Sequence, residues 1–513
     1  MIVSGARKGG VINIHTRSAY IPYFDSFDAT GRAGVAPTSP ALNNILWTDP
    51  YGDGNTLTGD AARDWVYSGD GRTLTLTLHR GIKFHDGNPL TSRDVAYNVD
   101  RGRKPRSPRM TQFAGKLDVI ESVDTPDELT VRVNLNRPSN FILQALSIVE
   151  FLVYPAHMPM PEQNDQWSKT RIGSGPFKLK QVGSENIEYV RNDAYWKQGL
   201  PHVDGLVFHG INDTALLISA LRSGRIDAVT YGNTFELEPS ITDGTLQRAQ
   251  GFNPHRVTVN GSTLRLAQKE PWTNPKVREA VDLAINRQDL VKLGYNGGGL
   301  PAASPLLPPD LGGKWGIPVG VSQARPGVRP NKTEDIARAK ALLREAGVDP
   351  GKVTTRILAA PTLQSGAQVI EANLRDIGFS PQLVLVEPAQ TLQALQSGTW
   401  EIIHEGMIIS LDDPSDYLGA VVLPQGLGNR GKWSDPEVES LFAEQDRTLD
   451  QGKRKEILNR LQARVLDNRH ALFLFWGWAH IGANRVVKNY PPKPLFLFSP
   501  VFRWEQVWLD RSA

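Results

Sequence analysis

The feature that most constrains the fold is the alternation of helical and strand-like patterns along Thr333–Met407. A helix is predicted over Thr333–Gly347, because acidic residues occupy its first turn, basic residues its last, and a glycine follows. A strand-like stretch, Val353–Leu358, comes next, then a helical stretch ending at Gly378 and an alternating segment, Gln382–Val386. This order is typical of a βαβ unit with parallel strands. A further helix and a further strand continue it: Thr391–Gln396 and Trp400–Met407.

An earlier part of the chain shows a different periodicity. Thr73–Leu78 and Glu128–Leu135 alternate apolar and polar residues with period two. Such strands are half-buried and are typical of an antiparallel sheet with one face in water. The sequence therefore predicts at least two structurally distinct regions.

Two segments lie between these two regions. Pro275–Gly294 carries an i, i+3, i+4 apolar stripe, with Asn274 as its cap, and predicts an amphipathic helix. Pro305–Asn331 is dense in proline and glycine and is too long for an ordinary connection. We expect it to be a surface excursion folded over a lobe.

Length, charge and cysteine content limit the kinds of protein that this chain can be. With 513 residues, the chain exceeds the roughly 250–300 residues that one hydrophobic core supports, so two or three lobes are expected. The net charge is only +3, from 57 basic and 54 acidic residues, which predicts no nucleic-acid partner. Cysteine is absent, so disulfides, thiolate nucleophiles and cysteine-based metal sites are excluded.

Membrane and export signals are also lacking in the sequence. No apolar run approaches the roughly 18–20 residues that span a bilayer. Met1–Gly10 has no hydrophobic core and is not a signal peptide. If the protein is exported, we expect that its signal has been removed.

The sequence carries no recognisable catalytic or metal-binding motif. None of the ten histidines lies in an HExxH arrangement. Gly173–Gly175 is not a nucleophile elbow, because Pro176 follows it instead of a helix-forming run. Asp412 and Asp413 are adjacent and so point in different directions, and Pro414 indicates a turn. The sequence predicts no enzyme activity, no cofactor and no metal site.

Several segments in series resemble one known family. Trp65–Leu78 (WVYSGDGRTLTLTL) and Arg80–Gly87 (RGIKFHDG) look like the signature of the family 5 extracellular solute-binding proteins, which bind dipeptides, oligopeptides or nickel. Further similar segments follow in the family's order: Gly173–Leu179, Arg191–Trp196, Pro201–Asp204, Ala220–Asp227, Val277–Ala280, Ala284–Arg287 and Ala339–Gly347. The resemblance runs from about Gly10 to about Trp508, so it covers the whole chain.

The resemblance implies a fold. It is α/β, a two-lobed periplasmic-binding-protein-like fold of type II with an additional mainly β domain. A discontinuous base lobe would comprise residues 1–42, 170–260 and 476–513. The β domain would occupy 43–169 and the second lobe 261–475. Both period-two strands fall in the implied β domain, and the βαβ pattern falls in the second lobe.

The resemblance also implies a function. The chain would be the extracytoplasmic solute-binding subunit of a bacterial ABC importer, binding a peptide-like or other organic solute in an interlobe cleft by hinge closure. It would be periplasmic or anchored on the outer face of the cytoplasmic membrane, monomeric, and would deliver the solute to permease subunits. Two alternatives are a ligand-sensing receptor on the same fold and a secreted hydrolase.

Aromatic clusters provide candidate solute contacts. Trp476, Trp478 and His480 share one face if their segment is extended, and in the family this stretch crosses between lobes beside the ligand. The alternative is a core strand. The N-terminal segment of the family also meets the cleft, and it contributes second-tier candidates here: Tyr20, Tyr23 and Phe27, with Phe24, Asp25 and Asp28 beside them.

The most specific candidate lies in Gly406–Leu418, which matches a family segment of the form G-W-x-A-D-Y-x-[DE]-P-x-x-[FY]-L. In peptide-binding members the aspartate of that segment pairs with the free α-amino group of the peptide. Here the residue is Ser410, and the tryptophan is replaced by Met407. A hydroxyl cannot neutralise a buried ammonium, so we expect neutral or N-blocked solutes. Asp412 or Asp413 would supply the missing carboxylate if the local register shifts.

Overall fold

The structure of the protein is a computed structural model, and it describes residues 5–16, 36–51, 56–103, 117–148, 151–158, 172–230, 237–408, 412–426, 428–491 and 502–512. The chain divides into two units. The first comprises residues 1–233, 239–257 and 480–513, and the second comprises residues 234–238 and 258–479. The three-part subdivision implied by the resemblance, with its boundaries, stays a prediction.

Strands occur in both units. They are β1 (Val11–Thr16), β2 (Leu46–Thr48), β3 (Leu57–Gly59), β4 (Ala62–Tyr67), β5 (Thr73–Leu78), β6 (Ile120–Asp127), β7 (Thr130–Leu135), β8 (Phe177–Val182), β9 (Asn186–Arg191), β10 (Gly205–Gly210), β11 (Ala228–Val229), β12 (Asn253–Leu266), β13 (Gly299–Pro301), β14 (Arg356–Ala359), β15 (Gln382–Leu385), β16 (Ile402–Ile408), β17 (Ala471–Ala483), β18 (Val487–Lys488) and β19 (Trp508–Leu509).

Among the described residues, more helices belong to the second unit than to the first. They are α1 (Ser92–Arg103), α2 (Phe141–Ala145), α3 (Thr214–Arg222), α4 (Glu238–Thr242), α5 (Thr245–Gln250), α6 (Pro275–Ala284), α7 (Arg287–Asp289), α8 (Val319–Gln323), α9 (Thr333–Glu345), α10 (Gln364–Asp376), α11 (Pro388–Ser397), α12 (Pro414–Val422), α13 (Pro436–Arg447) and α14 (Gln451–Asn468). Short 3-10 turns and one π-helical turn are also present: Ala36–Ala41, Pro309–Leu311, Pro350–Lys352, Pro361–Leu363 and, as the π turn, Leu290–Gly294.

The main sheet of the first unit is built around β1. This strand is parallel to β10 and to β11, while β9 and β8 continue the sheet with antiparallel pairing. Ile12, Ile14, Phe177 and Phe208 form part of its buried core. A mixed sheet of this kind needs apolar residues on its covered faces, and the alternation in VINIHT supplies two of them.

A separate antiparallel sheet of the first unit has the strand order β4-β5-β7-β6. Every second residue of Thr73–Leu78 is buried, which confirms the predicted half-buried strand. The strand predicted over Glu128–Leu135 begins later, at Thr130, because Leu129 N donates to Asp127 Oδ1 in the turn that precedes it.

A buried ion cluster joins early and late segments within the first unit. Arg503 forms an ion pair with Asp60, 443 residues away in sequence. Glu505 accepts hydrogen bonds from Tyr195 Oη at 2.6 Å and Lys197 Nζ at 2.8 Å. Arg503 and the two carboxylate residues are almost fully buried. The cluster fixes the C-terminal segment to residues from the first half of the chain.

The sheet of the second unit contains the predicted βαβ unit. β14 is parallel to β15 and to β16, and α10 connects β14 to β15. The strand order is β15-β14-β16-β12-β17, with β12 antiparallel to β16 and β13 paired to β17. The parallel pairing predicted from the sequence is confirmed.

The helix predicted over Pro275–Gly294 is interrupted. Asn274 caps α6 through Lys276 N as expected, but α6 ends at Ala284. Asn286 then accepts from the backbone N–H groups of Gln288 and Asp289 and starts a second, three-residue helix. An asparagine that bonds its own following backbone competes with helix continuation, which explains the break.

The excursion Pro305–Asn331 is folded and belongs to the second unit. It contains a 3-10 turn and α8, and its Leu306, Leu307 and Trp315 side chains are buried. Gln462 of α14 donates to the Trp315 carbonyl at 2.8 Å. The predicted surface excursion over a lobe is confirmed.

Candidate functional site

The parallel strands of the second unit end at a common edge. The carboxyl ends of β14, β15 and β16 are Ala359, Leu385 and Ile408. In open α/β sheets, ligands bind outside the carboxyl ends of the strands. The predicted solute segment, which begins at Gly406, therefore lies at the end of the sheet where a site is expected. Ser410 itself lies outside the described residues.

Met407 is the last described side chain before that point, and it is buried. It pairs across the sheet with Gly261, and a Cβ atom on Gly261 would lie 2.5 Å from Met407 Cγ. Tyr417 Oη lies 2.8 Å from Met407 Sδ. Met407 therefore fills the space that the glycine leaves open, and it packs inside the unit.

The same face of β16 carries a charged array that the sequence analysis missed. Arg265 Nε donates to Glu405 Oε1 at 3.0 Å, and Arg430 donates to Glu405 Oε2 at 2.9–3.0 Å. Arg265 Nη2 also donates to Tyr417 Oη at 3.3 Å. Burial raises the pKa of Tyr417 to about 12, although Arg265 opposes the shift. A single arginine between the two leucines of Leu264–Leu266 was the available signal.

The opposite face of β16 carries a neutral polar cluster. His404 Nε2 lies 3.0 Å from Ser262 Oγ and 3.1 Å from Tyr295 Oη. Burial lowers the pKa of His404 to about 4, so the imidazole is neutral near pH 7. The Ser262–His404 distance resembles that of a hydrolase dyad. Both residues are almost fully buried, so a substrate cannot reach the hydroxyl.

The predicted aromatic segment is extended. Trp476, Trp478 and His480 all lie on β17, and all are buried. Trp476 Nε1 donates to Ser304 O at 3.2 Å, and Trp478 Nε1 donates to Glu238 Oε2 at 2.9 Å. The shared face predicted for alternate residues follows from the strand geometry. Their contact with a solute stays a prediction, as does that of Tyr20, Tyr23 and Phe27, which lie outside the described residues.

Asp412 and Asp413 have different partners, as expected for adjacent residues. Asp413 is buried, forms a bidentate pair with Arg454 at 2.9 and 3.0 Å, and caps α12 through Ser415 N. Asp412 is partly buried and accepts from Lys314 N at 2.7 Å. The turn predicted at Pro414 is wrong in one respect: this proline is the first residue of α12, because its fixed φ suits a helix start.

Over the parts of the chain that the structure describes, His, Asp and Glu side chains form no group of three or more arranged to hold a metal ion. Among the described helices, none combines the length and apolar character that crossing a membrane requires.

Comparisons with known proteins agree with this architecture. A family model described as bacterial extracellular solute-binding proteins, family 5 Middle, matches residues 56–429. The dipeptide-binding protein of Escherichia coli is 26% identical over 490 residues, covering 89% of this chain and 88% of that protein. The glutathione-binding protein GsiB of Pectobacterium atrosepticum is 26% identical over 445 residues, covering 80% and 79%.

A solved structure extends the comparison to the fold. The ABC transporter substrate-binding protein CtaP from Listeria monocytogenes superposes with a TM-score of 0.81 at 20% identity, covering 98% of this chain and 100% of that chain. The fold class predicted from the sequence, a periplasmic-binding-protein-like α/β fold, is confirmed. The chain belongs to the family 5 bacterial extracellular solute-binding proteins.

Proposed function

We propose that this protein is the extracytoplasmic solute-binding subunit of an ABC importer, and that it binds a small peptide-like or related organic solute at the carboxyl edge of the second unit's sheet. Membership of the solute-binding family carries the proposal. The relatives named for dipeptide and glutathione binding support a peptide-like solute class. The parallel ends of β14, β15 and β16 support the location.

The proposal includes partners and excludes catalysis. Solute would be delivered to membrane permease subunits from the periplasm or the outer face of the cytoplasmic membrane. We infer no turnover, because the Ser262–His404 pair near the edge is buried and a substrate would not reach its hydroxyl group. Contacts that the solute makes only with the closed protein would favour the closed conformation.

The solute class follows from Ser410. A peptide's α-ammonium requires a carboxylate partner once it is desolvated, and the sequence supplies a hydroxyl at the position where the resemblance implies an aspartate. The nearby carboxyl group of Asp412 already accepts a hydrogen bond from Lys314 N. We therefore propose an N-blocked or uncharged peptide-like solute.

Calorimetry with matched peptides tests this proposal. Di- and tripeptides with free N-termini should bind about tenfold more weakly than their N-acetylated counterparts, because a charged hydrogen bond contributes more than a neutral one. Ser410→Asp should reverse the order of the two peptide sets. The control Ser184→Asp adds the same charge in an exposed turn of the first unit and should leave the order unchanged.

Two results would contradict the proposal. Submicromolar binding of the free-amine set by the unaltered protein, abolished by acetylation, would show that another group neutralises the ammonium. Absence of binding by either set, in a thermal-shift screen that detects another class of solute, would remove the peptide-like class.

A further inference from the structure

We propose that Trp315 and Asp412 form a pH-sensitive clasp that fixes the segment leading into α12, and that solute affinity depends on this clasp. The name clasp refers to Lys314, Trp315, Asp412, Asp413 and Arg454 together. The part that concerns affinity rests on the proposed function, whereas the clasp itself does not.

The excursion holds Asp412 at two points. Lys314 N donates to the carboxylate oxygen Oδ2 at 2.7 Å, and Trp315 Nε1 donates to the backbone carbonyl of Asp412 at 3.0 Å. One bond therefore fixes the side chain and the other fixes the main chain. Displacing the Asp412 backbone from the excursion would therefore break two hydrogen bonds.

The partner of Asp412 is itself held firmly. Trp315 is buried, its carbonyl accepts from Gln462 Nε2 at 2.8 Å, and the Arg454 guanidinium lies 4.9 Å from its ring centre. The same guanidinium forms the bidentate pair with Asp413. Helix α14 therefore supports both sides of the clasp, the excursion and the segment before α12.

The clasp lies next to the predicted solute contact in sequence. Asp412 follows Ser410 by two residues, and both come after the carboxyl end of β16 at Ile408. Fixing Asp412 anchors one end of the chain segment that carries Ser410. A segment with one end anchored has less conformational entropy to lose when the solute arrives, which improves affinity.

The charge environment makes the clasp sensitive to pH. Three charged groups face the Asp412 carboxyl: Lys314 from the excursion, Asp413 from its own segment and Arg454 from α14. Burial raises the pKa of Asp412 to about 7, and the Asp413 charge adds to the shift, while the bond from Lys314 N and the charges of Lys314 and Arg454 oppose it. The balance leaves a carboxyl group that titrates near neutral pH.

The direction of the effect follows from linkage. The pKa in the clasped state lies above its ordinary value of 3.8, so the clasped state binds the proton more tightly than an opened one. The clasp is therefore strongest at low pH, and its stability is lost as pH rises toward and through about 7.

Hydrogen exchange of the Lys314 amide tests the clasp without any solute. After correction for intrinsic exchange, its protection should fall about tenfold between about pH 6 and about pH 8. Asp412→Asn keeps an oxygen acceptor for this N–H but does not ionise, so its protection should be equal at both values. The control Asp310→Asn removes a carboxylate of the same excursion that accepts from Val319 N, and it should keep the pH dependence. Equal protection in the unaltered protein at the two pH values would overturn the clasp.

Calorimetry with N-acetylated dipeptides tests the link to solute. Affinity should weaken about tenfold over the same pH interval in the unaltered protein and remain constant in Asp412→Asn. The expected exchange result together with pH-independent affinity would overturn the link while leaving the clasp. Binding of free-amine peptides instead would contradict the proposed solute class, and the same pH comparison made with those peptides would then decide the link.

Discussion

Glu505 in the first unit and Asp412 in the second are carboxyl groups that fasten distant segments together, yet their acidities shift in opposite directions. Burial alone would raise the pKa of Glu505, but Lys197 and Arg503 outweigh it and lower the pKa to about 2. At Asp412 burial prevails and the pKa rises to about 7. Removal from solvent therefore does not by itself decide the charge of these carboxyl groups, because Glu505 forms ion pairs with Lys197 and Arg503 at 2.8 and 3.5 Å.

The first unit should be far more sensitive to the loss of a cation. Arg503→Leu leaves Asp60 buried beside Glu505 with Lys197 as the remaining cation, so the free energy of unfolding of this unit should fall by about 3–5 kcal/mol. Differential scanning calorimetry would measure the change. The control Arg511→Leu removes an exposed guanidinium 3.8 Å from Asp227 and should alter stability by less than about 0.5 kcal/mol. If Arg503→Leu and Arg511→Leu lowered the free energy of unfolding by similar amounts, the buried cluster would not be the main source of this stability.

Glu505 should account for most of the stability that the protein loses at low pH. Its pKa is lowered from 4.5, so the stabilisation is present above that value and is lost as pH falls toward 2. A shift of this size corresponds to at most about 3 kcal/mol. The unfolding temperature of the unaltered protein should therefore fall steeply as pH is lowered from about 5 to about 2. In Glu505→Gln it should fall less over the same interval. An unchanged slope in that variant, matching the exposed control Glu437→Gln, would show that other carboxylates dominate.

The smallest expected effect concerns a neutral partner of a buried cation. Tyr417→Phe removes the hydroxyl that accepts from Arg265 and lies against Met407. Because Glu405 still pairs with Arg265, the loss should be about 1 kcal/mol. A double-mutant cycle of Tyr417→Phe with Glu405→Gln would measure the coupling free energy between the two side chains. That coupling shows how far a hydroxyl group substitutes for a charge beside Arg265. Strict additivity would argue that the hydroxyl acts only through packing.

Local patterns in the sequence predicted the elements that depend on near neighbours. The strand Thr73–Leu78 and the parallel pair within Val353–Val386 follow from periodicity and from the order of elements. The break after Ala284 was missed because a side-chain bond from Asn286 competes with an otherwise uniform apolar stripe.

Contacts between residues far apart in sequence could not be predicted from local patterns. The sequence placed Trp476 and Trp478 on one extended segment, but their partners Ser304 and Glu238 lie far away along the chain. Asp412 lies near Ser410 in sequence, but its hydrogen-bond donor, the backbone N–H of Lys314, lies 98 residues away. Which charge meets which depends on how segments are brought together, and local periodicity carries no information on that.

The division of the chain has a consequence for its biosynthesis. Residues 258–479 emerge from the ribosome before the last segment of the first unit, which includes Arg503 and Glu505. The second unit has its full sequence available while the first still lacks the groups that neutralise Asp60 and Lys197. Domains generally fold as units, in order of synthesis. We therefore expect the second unit to acquire its structure before the segment with Arg503 and Glu505 joins the first unit.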